Sequence, residues 1–159
     1  DADYADFGAL IRDYAEWCRA RFAHDAWMVD LAFSHQSLDG ELQALAERYG
    51  PPGGKTILAR HDGKIAGGGA YRRRSDKYCE MKRLFVPDRF RGLGLGRRLC
   101  AALIAAARAE GFQAMRLDTA AQMKEAVALY EAIGFKRCAP YNEYPARLMP
   151  HIVFMELAL

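Results

Sequence analysis

The chain has 159 residues, a formal net charge of +3 at pH 7, 52% apolar residues and 27% charged residues. This length and an ordinary globular composition predict one compact domain with a sizeable core. No apolar run reaches the roughly 18 residues of a membrane-spanning helix, and the small, dispersed positive charge argues against nucleic acid as a partner.

The first 50 residues are predicted to be mainly helical. Apolar side chains recur at intervals of three and four residues over 6–22, which is typical of a helix. A polar, aromatic connection is predicted for 24–35. A second helix is predicted to begin near Ser37 and to end at the sequence Gly-Pro-Pro-Gly-Gly at 50–54.

The pattern then changes to that of strands. Residues 56–60 and 65–72 are predicted to form a hairpin around the turn His61-Asp62-Gly63-Lys64. Gly67-Gly68-Gly69 lies inside the second strand, where glycine is unfavourable, and predicts a bulge or the close packing of another backbone. A third strand is predicted over 78–86.

Helices and strands alternate in the second half of the chain. The order α-α-β-β-β-α-β-α-β-β predicts a mixed α/β domain, with an antiparallel early sheet, one parallel β-α-β pair and flanking helices. The predicted helices are 94–109 and 124–133, and the predicted strands are 113–117, 135–138 and 151–157.

A basic, glycine-spaced turn joins the third strand to the following helix. A helix N-terminus offers unpaired N–H groups and a partial positive charge, and glycine lets the backbone approach a ligand closely. The turn therefore predicts a phosphate or pyrophosphate site, the alternative being a glycine-rich connection with incidental arginines. Its glycine spacing fits neither the dinucleotide fingerprint nor the P-loop. The turn reads Arg91-Gly92-Leu93-Gly94-Leu95-Gly96-Arg97.

The pattern Arg-x-x-Gly-x-Gly at 91–96 resembles the acyl-CoA-binding motif of the GNAT N-acetyltransferase superfamily. The sequence Leu-Tyr-x-x-x-Gly-Phe at 129–135 is similar to a second motif of that family, and 79–86 looks like its central strand. The resemblance implies a single GNAT domain over 1–159. Residues 56–138 would be its acyl-CoA-binding core and residues 1–50 a variable helical segment on the substrate side.

The resemblance also implies acetyl-CoA as the acyl donor and an amine as the acceptor. Backbone groups of Leu84, Phe85 and Val86 would pair with the pantetheine arm as an added strand. Many family members carry an asparagine seven residues before the motif tyrosine, where this chain has Met123. The pyrophosphate would be held by backbone N–H groups of Arg91, Gly92, Leu93, Gly94, Leu95, Gly96 and Arg97.

Acyl transfer to an amine requires two proton movements, and the chain offers a candidate for each. Only the free amine attacks, so a carboxylate near the acceptor would take its proton. Glu80 is the candidate base or substrate anchor, the alternative being a structural glutamate paired with Lys82 or Arg83. Tyr130 matches the family's tyrosine that faces the departing sulfur and is the candidate general acid. The alternative is a tyrosine packed against the cofactor or core.

The four cysteines form neither a Cys-x-x-Cys pair nor a zinc-type spacing with histidine. They are interpreted as reduced thiols that serve as small apolar residues, so no metal site is predicted. Together with the lack of a signal-peptide pattern after Asp1, they predict a cytoplasmic location.

We therefore expect an N-acetyltransferase that acts on a primary amine of a small molecule by direct attack in a ternary complex. A protein or peptide amine is the alternative acceptor, and a noncatalytic acyl-CoA-binding module is the alternative function. The loop 141–145 is a candidate wall of the acceptor pocket. Residues 72–74, three arginines, are interpreted as a solvated turn that could otherwise attract an acidic substrate. The family often dimerises, so a homodimer is possible.

Overall fold

The computed structural model describes residues 2–159, and Asp1 lies outside it. Helices and strands alternate over most of this range. The helices are α1 (Ala2–Arg21), α2 (Ala26–His35), α3 (Leu38–Gln43), α4 (Leu45–Tyr49), α5 (Leu95–Ala109) and α6 (Lys124–Ile133). The strands are β1 (Gly54–His61), β2 (Lys64–Arg73), β3 (Tyr78–Phe85), β4 (Ala114–Ala120), β5 (Lys136–Arg137) and β6 (Ile152–Ala158).

The strands form one six-stranded mixed sheet in the order β1-β2-β3-β4-β6-β5. The pairs β1–β2, β2–β3, β4–β6 and β5–β6 are antiparallel. The pair β3–β4 is parallel and is connected through α5. The predicted mixed α/β fold with one parallel β-α-β pair is therefore confirmed.

Helices cover both faces of this sheet. The largest apolar cluster joins the sheet to α5 and α6, because α5 buries a stripe that includes Leu99 and Leu103 at helical spacing. On the other face, Phe7 and Ile11 of α1 pack with Tyr49 of α4 against the sheet.

Two of the predictions for the N-terminal half are wrong. Residues 24–35 form a 3₁₀ turn and the helix α2, rather than a connection. Val29 and Phe33, four residues apart, pack against Cys18 of α1 and so bury one side of α2. The second predicted helix is divided into α3 and α4, because Ala44 leaves the helical conformation with φ −127° and ψ 30°.

A bulge in β3 sets the shape of the sheet centre. Gly68 pairs with Phe85 and Ala70 pairs with Lys82, so β3 contains one more residue than β2 between these positions. Arg83 has a φ of +58°, which is uncommon for a residue with a side chain.

The glycine triplet of β2 lies opposite this bulge. A Cβ on Gly67 would come within 2.9 Å of the carbonyl oxygen of Phe85. The predicted close packing of another backbone is thus confirmed, whereas the extra residue belongs to β3 and not to the triplet.

Candidate active site

The parallel ladder between β3 and β4 is short, and the two strands separate beyond it. The last pair of this ladder is Glu80 with Arg116. Further along, residues 81–84 and 117–120 line a cavity of about 130 Å³, which we call the central cavity. Its other walls come from α1, α2, α6 and the loop before β6, which contribute Tyr14, Phe33, Tyr130 and Leu148, among others.

A groove of about 440 Å³ runs from the central cavity to the start of α5. Leu93 is the one predicted cofactor-binding residue that does not line it, and 48% of the Leu93 surface is exposed. The groove and the central cavity share Tyr14, Leu84, Thr119, Met123 and Tyr130. The predicted residues that do line the groove are Leu84, Phe85, Val86, Arg91, Gly92, Gly94, Leu95, Gly96 and Arg97.

The first turn of α5 has free backbone donors at one end of this groove. The Ncap residue Gly94 has a φ of +71°, and no side chain caps the helix. The first intrahelical hydrogen bond runs from the N–H of Arg98 to the carbonyl of Gly94 at 3.1 Å. The N–H groups at positions 95–97 therefore have no partner within the helix and can bind an anion. This arrangement fits a pyrophosphate group.

Helix α1 fixes the loop that precedes α5. The indole N–H of Trp17 donates to Asp88 Oδ1 at 3.0 Å, and Arg91 Nε lies 3.0 Å from the same carboxylate oxygen. The guanidinium of Arg91 stacks over the Trp17 ring, with 4.8 Å between its carbon and the ring centroid. Trp17 also lines the groove, so α1 positions both the loop and one groove wall.

Tyr130 lies where the groove meets the central cavity. Helix α6 holds it with only 7% of its surface exposed, and its ring packs edge-on against Phe135 with 5.8 Å between the ring centroids. Burial raises the pKa of the Tyr130 hydroxyl, so the group stays protonated at neutral pH.

Glu80 is fully buried, and both of its carboxylate oxygens have protein partners. Two nitrogens of Arg72 lie 2.8 and 2.9 Å from Oε2. The side-chain amide of Asn142 donates to Oε1 at 2.7 Å. Glu80 lines neither the central cavity nor the groove. Arg72, interpreted as part of a solvated turn, is in fact half-buried by this ion pair.

A second carboxylate, Asp118 of β4, does line the central cavity. Lys82 lies 3.3 Å from its Oδ1, and Asn142 donates to its Oδ2 at 2.8 Å. Burial by itself would raise the pKa of Asp118, but the charge of Lys82 and the hydrogen bonds outweigh it and hold the pKa below its usual value.

A third cavity, of about 230 Å³ and polar in its lining, adjoins the central cavity; we call it the polar cavity. The two share Gln36, Lys82 and Tyr144. The polar cavity is also lined by Arg48, Asn142 and Glu41, among others. Thus Tyr144, in the loop predicted as a pocket wall, lines both cavities.

The buried ion pair between Glu41 and Arg83 lies beside the polar cavity. Arg83 Nη2 lies 2.6 Å from Glu41 Oε2, and the Tyr49 hydroxyl donates to Glu41 Oε1 at 2.8 Å. Burial would raise the pKa of Glu41, but the hydrogen bonds and charge of Arg83 hold it below its usual value. The pair fixes the bulge of β3 to α3.

Sequence reasoning did not identify Asp118, Arg48 or the contribution of α2 to these cavities. The apolar spacing of Val29 and Phe33 was a usable signal for α2. Asp118 and Arg48 had no comparable signal, because single charged residues on a strand and on a short helix are common.

Among the described residues 2–159, no group of three or more His, Cys, Asp or Glu side chains could hold a metal ion. In the same range, no helix has the length and apolarity needed to cross a bilayer. All four cysteines are free thiols.

The sheet opens within its one parallel pair, and a groove leads from this opening to the uncapped N-terminus of α5. Together these two features define an acyl-CoA-dependent N-acyltransferase. A model of the Acetyltransferase (GNAT) family matches residues 20–135, and the chain belongs to this family. The resemblance seen in the two sequence motifs is thereby confirmed.

Individual relatives cover most of the chain. It is 34% identical over 159 residues to an uncharacterised N-acetyltransferase of Schizosaccharomyces pombe. This match spans 99% of the present chain and 89% of that protein. It is 36% identical over 138 residues to a protein of Azospirillum brasilense named IAA acetyltransferase, with 85% of each chain covered. An acetyltransferase structure from Streptococcus agalactiae superposes with a TM-score of 0.67 and 25% identity, over 84% of this chain and 90% of that one.

Proposed function

We propose that this enzyme transfers an acetyl group from acetyl-CoA to a primary amine of a small molecule, by direct attack while both substrates are bound. The observation that carries the proposal is the meeting of the groove and the central cavity at Leu84, Thr119 and Tyr130. A donor in the groove and an acceptor in the central cavity would therefore bring their reacting ends to one point.

The groove suits the donor along its length. The free N–H groups at 95–97 and the exposed guanidinium groups of Arg91 and Arg97 bind the pyrophosphate. Residues 84–86, at the end of β3 and directly after it, lie beyond the ladder to β4 and accept the pantetheine arm as an added strand. Acetyl-CoA supplies the acetyl group as a thioester.

Tyr130 is the proposed proton donor to the leaving sulfur. Tyr130 lines both the groove and the central cavity, which supports this role. The hydroxyl is protonated at neutral pH and so carries the proton that the departing sulfur takes up, although burial raises its pKa and makes it a weaker acid.

We assign Glu80 a positioning role rather than that of the base. Its oxygens are engaged by Arg72 and Asn142, and it does not reach the central cavity. Asp118 and His151 both line that cavity. Since the lowered pKa makes Asp118 a weak base, His151 is the proposed acceptor of the amine proton.

The thiol in the central cavity does not favour a covalent acyl-enzyme. Cys18 lines the cavity, but burial raises its pKa to about 11. A protonated thiol is a poor nucleophile, so direct attack by the amine is favoured.

The walls of the central cavity favour a small acceptor over a protein chain. They come from two helices on one side, the two separated strands, α6 and the loop before β6. A volume of about 130 Å³ holds an amine and a short stem rather than a folded surface.

The test is the release of CoA thiol from acetyl-CoA with a panel of small amines and a lysine-containing peptide, followed by two-substrate kinetics. We expect release with small amines and an intersecting pattern of double-reciprocal lines. Parallel lines would exclude direct attack, and release with the peptide alone would exclude a small acceptor. Binding of acetyl-CoA without release on any amine would show a noncatalytic module.

A further inference from the structure

The polar cavity contains a guanidinium whose charge the surrounding protein does not balance. Arg48 of α4 is half-buried and lines this cavity, and none of the ion pairs within residues 2–159 includes it. A charge withdrawn from water is normally paired. Among the described residues, Arg48 is therefore available to bind an anion in this cavity.

The other positive charges around the cavity are each paired with a carboxylate of the protein. Arg72 pairs with Glu80 at 2.8 Å. Lys82 pairs with Asp118 at 3.3 Å, and Arg83 pairs with Glu41 at 2.6 Å. Glu143 also lines the cavity, but it is an exposed residue. The cavity thus has an unmatched positive charge on a half-buried group.

A second unsatisfied group lies between the polar cavity and the central cavity. The side-chain oxygen of Gln36 is buried and has no hydrogen-bond partner among residues 2–159. Its amide nitrogen lies 3.4 Å from the Tyr144 hydroxyl, so the side chain is oriented with the free oxygen available. Gln36 lines both cavities. A buried acceptor of this kind calls for a donor, which an amine or amide N–H provides.

We infer that the acceptor is a primary amine that also carries an anionic group, and that Arg48 binds this group in the polar cavity. The inference rests on the proposed function and specifies its substrate class. The amine end extends past Gln36 into the central cavity and towards Tyr130. The stem between the two ends lies among Phe33, Leu148 and other apolar side chains of the central cavity.

Carboxylate and phosphate share the chemistry that a guanidinium recognises. The experiment therefore compares acceptors that differ only at the end remote from the amine. Carboxylates are represented by β-alanine, 4-aminobutyrate and 5-aminovalerate, and phosphate by phosphoethanolamine. Propylamine and butylamine are the neutral counterparts, and 1,4-diaminobutane is the cationic one.

CoA release is measured for the wild type, for Arg48→Met and for Arg48→Lys. The control Arg108→Met removes an exposed arginine at the end of α5, away from all three cavities. We expect the wild type to favour anionic over neutral acceptors in kcat/KM. Arg48→Met should lower kcat/KM for anionic acceptors about 10- to 100-fold through KM and leave neutral acceptors unchanged. Arg48→Lys should retain part of the preference, and Arg108→Met should retain all of it.

A second measurement does not depend on turnover of the anionic acceptors. Butyrate, which has the carboxylate but no amine, should compete with butylamine in the wild type and not in Arg48→Met. Equal use of neutral and anionic amines by the wild type, or an equal loss for both in Arg48→Met, would overturn the inference while leaving the acetyl transfer intact. If no amine releases CoA although acetyl-CoA binds, the proposed function fails and the inference fails with it.

Discussion

Replacing Glu80 by glutamine tests whether this residue acts as a positioning residue or as the catalytic base. The substitution keeps the size of the side chain but exchanges one oxygen for an NH₂ group. In one orientation this NH₂ faces the two nitrogens of Arg72, and in the other it faces the amide nitrogen of Asn142. Either way, two donors meet inside the protein, and Arg72 loses the charge that balances it.

The cost follows from the burial of the pair. Removing one partner of a fully buried ion pair costs about 3–5 kcal/mol. Because 26% of the Arg72 side chain is exposed and can regain water, we expect a smaller loss, about 2–3 kcal/mol. For a domain of this size, that loss corresponds to a fall in Tm of about 4–12 °C.

Urea and thermal unfolding measure the stability, and the pH dependence of kcat/KM measures the catalytic role. Glu80→Gln should lower kcat/KM about tenfold through displaced neighbours and leave the shape of the pH profile unchanged. His151→Gln should lower kcat/KM by more than Glu80→Gln does, because it removes the proposed acceptor of the amine proton. Glu156→Gln breaks a more exposed pair, with Arg116, and should cost less than about 1 kcal/mol.

The reasoning is refuted if Glu80→Gln unfolds like the wild type and yet lowers kcat/KM by more than His151→Gln does. That result would make Glu80 the base, as the sequence alone suggested.

Three further predictions concern the junction, the glycine turn and the buried pair. Tyr130→Phe should lower kcat by about 100-fold or more with little change in acetyl-CoA affinity; an unchanged kcat in steady-state assays would exclude the acid role. Gly94→Ala strains a residue at φ +71° by about 1–2 kcal/mol and should weaken acetyl-CoA binding in calorimetry. The control Gly63→Ala introduces the same strain at φ +74° in a distant hairpin and should leave acetyl-CoA binding unchanged. Glu41→Gln should cost about 3–5 kcal/mol near neutral pH. The folded-state pKa of Glu41 lies below its unfolded value, so the Tm difference between Glu41→Gln and the wild type should shrink as the pH falls below the usual carboxyl range. A Tm difference that stays constant with pH would contradict the assignment of the lowered pKa to Arg83.

The parts of the fold that the sequence predicted depend on local patterns. The glycine turn at 91–97, the helix that follows it and the hairpin around Gly63 are each recognised within a dozen residues. The order of these elements was then sufficient to predict the parallel pair, because a crossover through a helix leaves few alternatives.

The parts that were missed depend on contacts between distant residues. Glu80 meets Asn142 62 positions later, and Glu41 meets Arg83 42 positions later. No spacing rule reports such pairs, so the sequence could not show that Glu80 is buried with both carboxylate oxygens bonded to other side chains. The bulge could not be predicted either, because no sequence pattern indicates that an arginine adopts the left-handed backbone conformation.

The facing edges of β3 and β4 are not hydrogen-bonded to each other along their full length. Beyond Glu80 and Arg116 the ladder between these two strands ends, and such unpaired edges are templates for pairing with a foreign chain. A donor molecule in this opening would cover them and, at a hundredfold excess over its Kd, would add about 2.7 kcal/mol of stability. The Tm of this protein should therefore rise with the concentration of the donor, because the donor pairs with the open edge of β3 only in the folded state.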